Sequence, residues 1–577
     1  MADKIFRVNM NDLKVKIEDV PSAWQGFGGR ALTSAVVAAE VPPTCHPLGK
    51  YNKLVFAPGL LSGTRAANSG RLSAGAKSPL TGTIKECNSG GTAAQLLARM
   101  GIKALILEGI PADNRLYGLK VTIDGVDIVP ADELAGNGNF TVVERLEKQS
   151  GKDCGLLSIG QAGERRQLAA NISVKDPDSK FRSLGRGGLG AVMGSKGIKY
   201  ILIDAAGAPK SITLADEDKF KQAAKTFAKA LLDHPVCGGA LGAYGTDVLI
   251  NIVNEVGGLP TKNFRSGQFD RHEMISGEKL AEIIESRGGK PKHGCHAGCV
   301  MQCSQVYVDK DGNYVTSGFE YESIWAMGAH CCIDDLDLLA QADSIMDDIG
   351  VDSIEMAVTI GLAMEAGIID FGDGQGFLKL LQEVKEGSPL GRILGSGAAV
   401  TGKAYGLTRV PVVKNQAIPA YDPRSVKGIG ITYCTSTMGA DHTAGYTVAT
   451  NILKSGGFVD PLKKEGQVEL SRNLQIATAA IDSTGLCIFV AFAVLDNETA
   501  LPAVVDMLNA RFGLSLTAND VTALGTSVLK TEHAFNQAAG FTNVHDRLPE
   551  FFVDEKVPPH DAVWDFSGEE IDEFWNF

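Results

Sequence analysis

Residues 198–235, IKYILIDAAGAPKSITLADEDKFKQAAKTFAKALLDHP, change their hydrophobic period halfway along. Ile198 to Ile203 form a short, dense run of aliphatic and β-branched residues closed by Gly207 and Pro209, the pattern of a buried strand. After Ala215 the apolar residues return every three or four positions, at Phe220, Ala223, Phe227 and Leu231, the pattern of an amphipathic helix. Upstream the chain keeps the first character, as in KLVFAPGLL (53–61) and KALILEG (103–109), between Gly-, Pro- and Asn-rich turns. Downstream it keeps the second, as in DLDLLAQADSIMDDIG (335–350), DSIEMAVTIGLAMEAG (352–367) and NDVTALGTSVLKTEHAFNQAAG (519–540). The expected fold is therefore α+β, with a β-rich domain over 1–208 followed by two mainly helical domains, 209–415 and 416–577. The second cut falls in the Pro- and Gly-punctuated VPVVKNQAIPAYDPRSVKGIG (410–430), which shows little helical pattern.

Composition narrows the class. At 577 residues with 44% apolar and 21% charged side chains, the chain is long enough for several large cores. A net charge of −13 without a basic cluster argues against nucleic acid as a partner. The N-terminus lacks a signal-peptide core and no run of 18 apolar residues occurs, so no membrane partner and a cytoplasmic location are expected. Eleven cysteines, an odd number, make a poor disulfide framework.

Three of those cysteines cluster in HGCHAGCVMQC (293–303). On a straight helix Cys295, Cys299 and Cys303 would form a stripe about 12 Å long, too extended to grip one compact group, but Gly294 and Gly298 allow the segment to curl. A curled loop of three thiols suits a metal cluster, and a stripe buried in a helical core is the alternative. Cys331 and Cys332 are adjacent and diverge, as packed residues would. The segment GRGGLG (185–190) fits a dinucleotide fingerprint, with Asp204 downstream. It is set aside because KDPDSKFRS precedes it where a strand is needed and strand-like IKYILIDAAG follows soon after. One short pattern, D-x-x-G-x-D or C, recurs as DDIGVD (347–352) and DSTGLC (482–487).

Taken in order, GLLSGTRAANSGRLSAGAKSPLTGTIKECNSGG (59–91), GRGGLGAVMGSKG (185–197), FEYESIWAMGA (319–329), AYDPRSVKGIGITYCTSTMGADH (420–442) and DSTGLC resemble the tungsten-containing aldehyde:ferredoxin oxidoreductase family, essentially end to end. The resemblance implies a tungsten ion held by two pterins (a tungstopterin), a four-iron, four-sulfur (4Fe-4S) cluster beside it, and Mg2+ bridging the pterin phosphates. It makes 1–208 the bis-pterin-binding base domain. Asp347 and Asp482 then present carboxylates to the donor edges of the two pterins, and Asp352 supports the first turn. Asn88 helps to hold Mg2+, and Arg71 lies between cluster and pterin. The cluster ligands become Cys295, Cys299, Cys303 and Cys487. Well-known members carry C-x2-C-x3-C where this chain has C-x3-C-x3-C, which leaves His293 or His296 as substitutes for one thiol. The Glu and His that hold a bridging iron between subunits in the family have no clear match here.

For catalysis the resemblance selects Glu322 in FEYES as general base and His442 in GADH as hydrogen-bond donor to the substrate carbonyl, with Glu320 the rival of Glu322. The expected reaction is oxidation of aldehydes to carboxylic acids. The alternatives are a tungsten-dependent benzoyl-CoA type reductase subunit and a non-catalytic iron–sulfur electron-transfer protein. The other seven cysteines hold no second C-x2-C grouping and no flavin motif is present, so the electrons leave to a ferredoxin or a ferredoxin-like subunit, which in turn feeds a flavoprotein in one arrangement. A homo- or hetero-oligomer is compatible with this. Trp564, Phe574 and Trp575 of the acidic C-terminus are candidate docking anchors, the alternative being a tail folded on its own body.

Overall fold

The computed structural model of the protein describes residues 3–577. Its first 205 residues build one topology twice. Strands β1 (Lys4–Asn9), β2 (Lys14–Asp19), β3 (Leu54–Pro58), β4 (Leu72–Lys77), β5 (Ile84–Ser89) and β6 (Ile102–Glu108) form a sheet in the order β2-β1-β6-β3-β4-β5. Strands β7 (Tyr117–Thr122), β8 (Gly125–Pro130), β9 (Gly155–Ser158), β10 (Ile172–Lys175), β11 (Phe181–Leu184) and β12 (Ile198–Ile203) form a second sheet in the order β8-β7-β12-β9-β10-β11. Adding six to each strand number converts one order into the other. The pairing directions agree too, since β1 and β6 run parallel, as do β7 and β12, and every other pair is antiparallel.

The helices repeat with the strands. Gly29–Glu40 and Asn139–Ser150 each follow the second strand of their unit, and Ala93–Arg99 and Leu189–Ser195 each fill the crossover from the fifth strand to the sixth. Phe6, Phe56 and Leu105 share a core with Leu119, Leu157 and Ile201, so the two sheets pack face to face. Strands β3, β4 and β12 are buried along their whole length, in keeping with the apolar run of β3 and the mostly apolar β12, whose Lys199 is buried against Glu164. The exposed edge strand β2 carries Lys14, Lys16 and Glu18, charges that discourage edge pairing.

The helical part opens with Glu217–Asp233, capped by Asp216, whose side chain accepts from Lys219 N–H at 3.0 Å. One large core then runs through the helical region, drawing on residues from Ala162 to Phe574. The apolar stretch Pro235–Glu255 has the mean hydropathy of a membrane span, 1.4, yet it is broken into short helical pieces and half of it is buried in the protein.

Three local expectations change. Residues 185–190 follow a strand, β11, and run into a helix, Leu189–Ser195, contrary to the expectation that no strand precedes them. Strands β11 and β12 lie at different places in the sheet order, however, and do not form the parallel β-α-β unit of a dinucleotide site. The C-terminus packs on its own body: Trp564 and Phe574 are buried at 3% and 0% exposure, and Trp575 stacks on His533 with ring centroids 3.7 Å apart. These rings are core, because burying aromatic area intramolecularly costs no association entropy. Finally, the segment around 411–430 contains a small hairpin, Val412–Val413 with Gln416–Ala417, and the start of the helix Lys427–Thr435.

Candidate active site

The two D-x-x-G turns are the C-termini of two helices. Asp347 lies in the last turn of Leu336–Ile349, ended by Gly350 at φ +79°, and Asp482 lies in the last turn of Gln467–Thr484, ended by Gly485 at φ +80°. Only glycine enters that left-handed cap without strain, which fixes the third residue after each Asp. Each turn docks on one copy of the β unit in the same manner. Arg71 N–H donates to the Gly485 carbonyl at 3.1 Å, and Asn171 N–H donates to the Gly350 carbonyl at 3.0 Å. Gly59 and Gly160 face the turns so closely that a methyl group on either would overlap turn backbone. The helix starting at Gly29 touches Ser483, through Ala31 N–H to Oγ at 3.1 Å, and the helix starting at Asn139 touches Asp348, through Phe140 N–H to Oδ1 at 3.2 Å.

The last residue of each motif then diverges. Asp352 caps the helix Ser353–Glu365 by accepting from Ile354 N–H at 3.0 Å and pairs with Arg186 at 3.1 Å. Cys487 instead turns toward the thiol loop. That loop, between the strands Lys290–His293 and Ser304–Val308, is curled, with Gly298 at φ +87°. Asn68 clamps it by donating toward Cys299 Sγ at 3.8 Å and accepting from Val300 N–H at 3.1 Å, while its own carbonyl accepts from Cys487 N–H at 2.9 Å. Gly91 N–H holds the Cys295 carbonyl at 2.8 Å. All eleven cysteines are free thiols.

His293 is engaged elsewhere, 2.8 Å from Asp176, which removes it as a substitute cluster ligand. His296 Nδ1 stands 3.2 Å from Cys295 Sγ. Cys331 and Cys332 sit in a short 3-10 turn away from the loop.

Between the turns and the loop lies a cavity of about 370 Å³ whose walls include Arg71, Cys295, Cys303, Cys487, Asp347, Glu322 and His442. Asp482, Asp352 and Asn88 stand in the layer behind those walls. Asp482 accepts from Arg30 at 3.3 Å and from Asn88 Nδ2 at 3.1 Å. Arg71 donates to both the side-chain oxygen (2.7 Å) and the carbonyl (2.8 Å) of Asn88. That carbonyl keeps a second lone pair for a cation.

Glu322 is in the first turn of the helix Tyr321–Met327. Its Oε2 accepts from Ala420 N–H at 3.0 Å, and its Oε1 lies 3.3 Å from His442 Nε2. Neither Glu322 Oε1 nor His442 Nδ1 has a hydrogen-bond partner, although both are buried. Burial pushes the Glu322 carboxyl up to about 8 and the His442 imidazole down to about 4, so near neutral pH both are uncharged. Glu320 is committed differently, since its Oε2 accepts from Thr246 at 2.7 Å. Both carboxylates border the cavity, and Glu322 is the one beside His442.

Sequence reading missed the residues that hold His442. Asp441, beside it, is bound by buried Lys85 at 2.7 Å, and Arg186 donates to the carbonyls of Ala440 and Ala417, each at 2.7 Å. Tyr421 and Tyr446 share a 2.7 Å hydroxyl contact on the cavity wall. Lone basic residues in a strand or a glycine-rich loop carry no local signal of such partners.

These observations define a redox-enzyme architecture: a twice-built base with one acidic turn on each copy, a thiol loop at one side, and an acid/imidazole pair facing the space between. The chain belongs to the aldehyde ferredoxin oxidoreductase family. Residues 5–205 match the family's N-terminal domain and residues 222–575 match its domains 2 and 3. The chain is similar to the tungsten-containing aldehyde ferredoxin oxidoreductases of Pyrococcus furiosus (33% identity) and Pyrococcus horikoshii (34%), in each case over 96% of this chain and 92% of the relative. A solved active-site complex of a benzoyl coenzyme A reductase with 1,5-dienoyl-CoA shares the fold, with TM-score 0.80 and 18% identity over 99% of this chain and 92% of that one.

The residues present fit the cofactors of that family. Among the described residues no three His, Cys, Asp or Glu side chains stand close enough to hold a single metal ion. A metal bound through pterin sulfurs needs no such set. The matched carboxylate turns offer acceptors that suit two pterins, and Cys295, Cys303 and Cys487 share the cavity wall, with Cys299 held in the adjoining loop by Asn68.

Proposed function

We propose that the protein oxidises aldehydes to carboxylic acids at a tungstopterin centre and passes the electrons through one 4Fe-4S cluster to a ferredoxin or a ferredoxin-like subunit. The observation that carries this reading is the Glu322–His442 pair, with Oε1 3.3 Å from Nε2 and Nδ1 without a partner, in the wall of a cavity that also reaches Cys295, Cys303 and Cys487. When bound, the tungsten–pterin group accepts two electrons. The chain's own residues manage protons and orientation. Neutral Glu322 holds its proton on Oε1 toward His442 Nε2, which leaves His442 with N–H at Nδ1 to donate to a substrate carbonyl oxygen and draw charge from its carbon. In the other protonation state Glu322 is ionised, His442 holds its N–H at Nε2 toward the carboxylate, and Glu322 takes a proton from the water that adds to that carbon, so carbonyl polarisation and proton removal belong to successive states of the pair. Buried Lys85 and Arg186 fix the imidazole through Asp441 and Ala440. Balance requires aldehyde and water to give acid, two protons and two electrons.

Cys295, Cys299, Cys303 and Cys487 are the proposed cluster ligands, and Arg71 stands beside them on the electron path. Asp347 and Asp482 receive the pterin donor edges, with Asp352 fixing the first turn through its cap. Asn88 offers its carbonyl to Mg2+. A flavoprotein beyond the ferredoxin-like subunit, an oligomeric assembly and a cytoplasmic location accompany this reading.

The test is metal and pterin analysis of the purified chain, followed by assay with benzaldehyde or benzoyl-CoA and a low-potential dye or NAD. Dye reduction with the aldehyde and none with NAD is expected. Activity with the thioester alone transfers the protein to aryl-CoA reduction, and iron without pterin or tungsten makes it an electron-transfer protein.

A further inference from the structure

The two acidic turns are built alike, but the residues one helical turn before them are not. Four positions ahead of Asp482 is Thr478; four positions ahead of Asp347 is Asp343. Residues at this spacing share a helix face, with Cβ atoms about 5–6 Å apart, and both Asp343 and Thr478 border the cavity. Asp343 is 5% exposed. Its Oδ2 accepts from Thr316 at 2.6 Å, and no described residue donates to its Oδ1.

The surroundings deepen the contrast. Asp482 meets Arg30 and Asn88. The Asp347 carbonyl accepts from Asn139 Nδ2 at 2.8 Å, but no described residue donates to its carboxylate, and Arg182 in the same wall is paired with Asp176 at 3.1 Å. Buried Asp343 and half-buried Asp347, one turn apart on the cavity wall with a free oxygen at each and only Arg182 as a nearby cation, form an acceptor site for a donor. A pterin offers a matching edge, an exocyclic amine flanked by ring N–H.

We propose that Asp343, outside the repeated motif, is a second acceptor for the pterin held by the Asp347 turn, so that the two pterins meet different side-chain sets. One is bound by the carboxyl pair Asp343 and Asp347. The other is bound by Asp482, backed by Arg30, with Thr478 as its neighbour. This assignment rests on the bis-pterin reading above and is a statement about binding, not about catalysis.

The test compares Asp343→Asn and Thr316→Val in the protein isolated with its cofactors, reading pterin per chain by oxidative release and fluorescence, with iron per chain and circular dichroism as folding controls. The amide turns a donor toward a donor, so Asp343→Asn is expected to lose about half of the pterin while cluster iron stays at the wild-type level. Thr316→Val removes the Thr316–Asp343 bond but leaves the carboxyl, and is expected to keep the wild-type pterin content. If the amide variant does not fold, Asp343→Ser is read by the same criterion. Full pterin content in the folded Asp343 variant overturns the assignment. So does an equal loss in Thr316→Val, which makes Asp343 a structural partner of Thr316. A wild-type chain without pterin instead overturns the reading of the site itself, so the two failures are distinguishable.

Discussion

The Asp482 half and the Asp347 half of the base have the same strands, the same docking bonds and the same glycine cap, yet they differ in charge. The first is cation-rich. Arg30, gripped by Glu532 at 2.9 and 2.8 Å, reaches Asp482, and Arg71 stands beside Asn88. The second is carboxyl-rich, and burial pushes Asp347 well above the ordinary carboxylate range and Asp343 up to about 7. A helix C-terminus repels negative charge, so each Asp sits where the dipole disfavours its ionised form, and only Asp482 is directly ion-paired, by Arg30, while Asp347 feels Arg182 without contact. Duplication supplies a symmetric frame, and the residues placed on it decide which half faces the thiol loop.

The largest expected effect concerns the point where the halves part. Cys487→Asp, which copies the residue of the other turn, is expected to lose most cluster iron and its electron paramagnetic resonance signal, because four-iron clusters need thiolates. Wild-type iron in this variant places the fourth ligand elsewhere and removes the functional difference between the halves.

The next effect is on the chemistry between them. Glu322→Gln is expected to lower kcat/KM by about 10²–10⁴-fold with metal and pterin content unchanged. In the wild type, kcat/KM for aldehyde oxidation should rise with pH through the Glu322 value of about 8, as the base form appears. A loaded variant with normal turnover removes Glu322 from the mechanism.

Smaller still is the difference between two amides. Asp482→Asn removes a charge-assisted bond from Arg30 and is expected to cost about 1–3 kcal/mol in denaturant unfolding of the cofactor-free chain. Asp347→Asn removes a carboxyl that has no ion-pair or hydrogen-bond partner among the described residues and is expected to leave stability unchanged or raise it by up to about 1 kcal/mol. Equal losses in the two variants break the charge contrast.

The smallest effect is a slope. Asp343, Glu355 and Glu322, at about 7, about 7 and about 8, have folded values above their unfolded ones. Their stabilisation is fully present below about pH 4 and is lost as pH rises through 7 to 8. The cofactor-free chain should therefore melt at lower temperature at pH 8.5 than at pH 6, and Asp347→Asn should flatten that trend. A melting temperature that rises between these values contradicts it.

Much of this was legible in the sequence because it depends on local rules. The period change at 198–235 divides sheet from helix, and D-x-x-G writes a helix end with a carboxylate one turn back and a glycine in the cap. Cys295, Cys299 and Cys303 announce a loop because glycines punctuate them, and Glu322 and His442 stand in segments that carry the family resemblance. The duplication of the base was not legible, since strand order arises from pairing between distant residues and leaves no repeated string. Nor was the strand before GRGGLG, whose four residues are held by pairing with β10 and not by their own propensity. Trp564 and Phe574 fit either a docking surface or a tail folded on its own body from sequence alone, and only the core that buries them decides for the second. Arg30, Lys85, Arg186 and Asp343 are single charged residues far apart in sequence. Only the tertiary structure decides which charges are compensated, because burial and partner distance set a charge's energy and neither is a property of the residue alone.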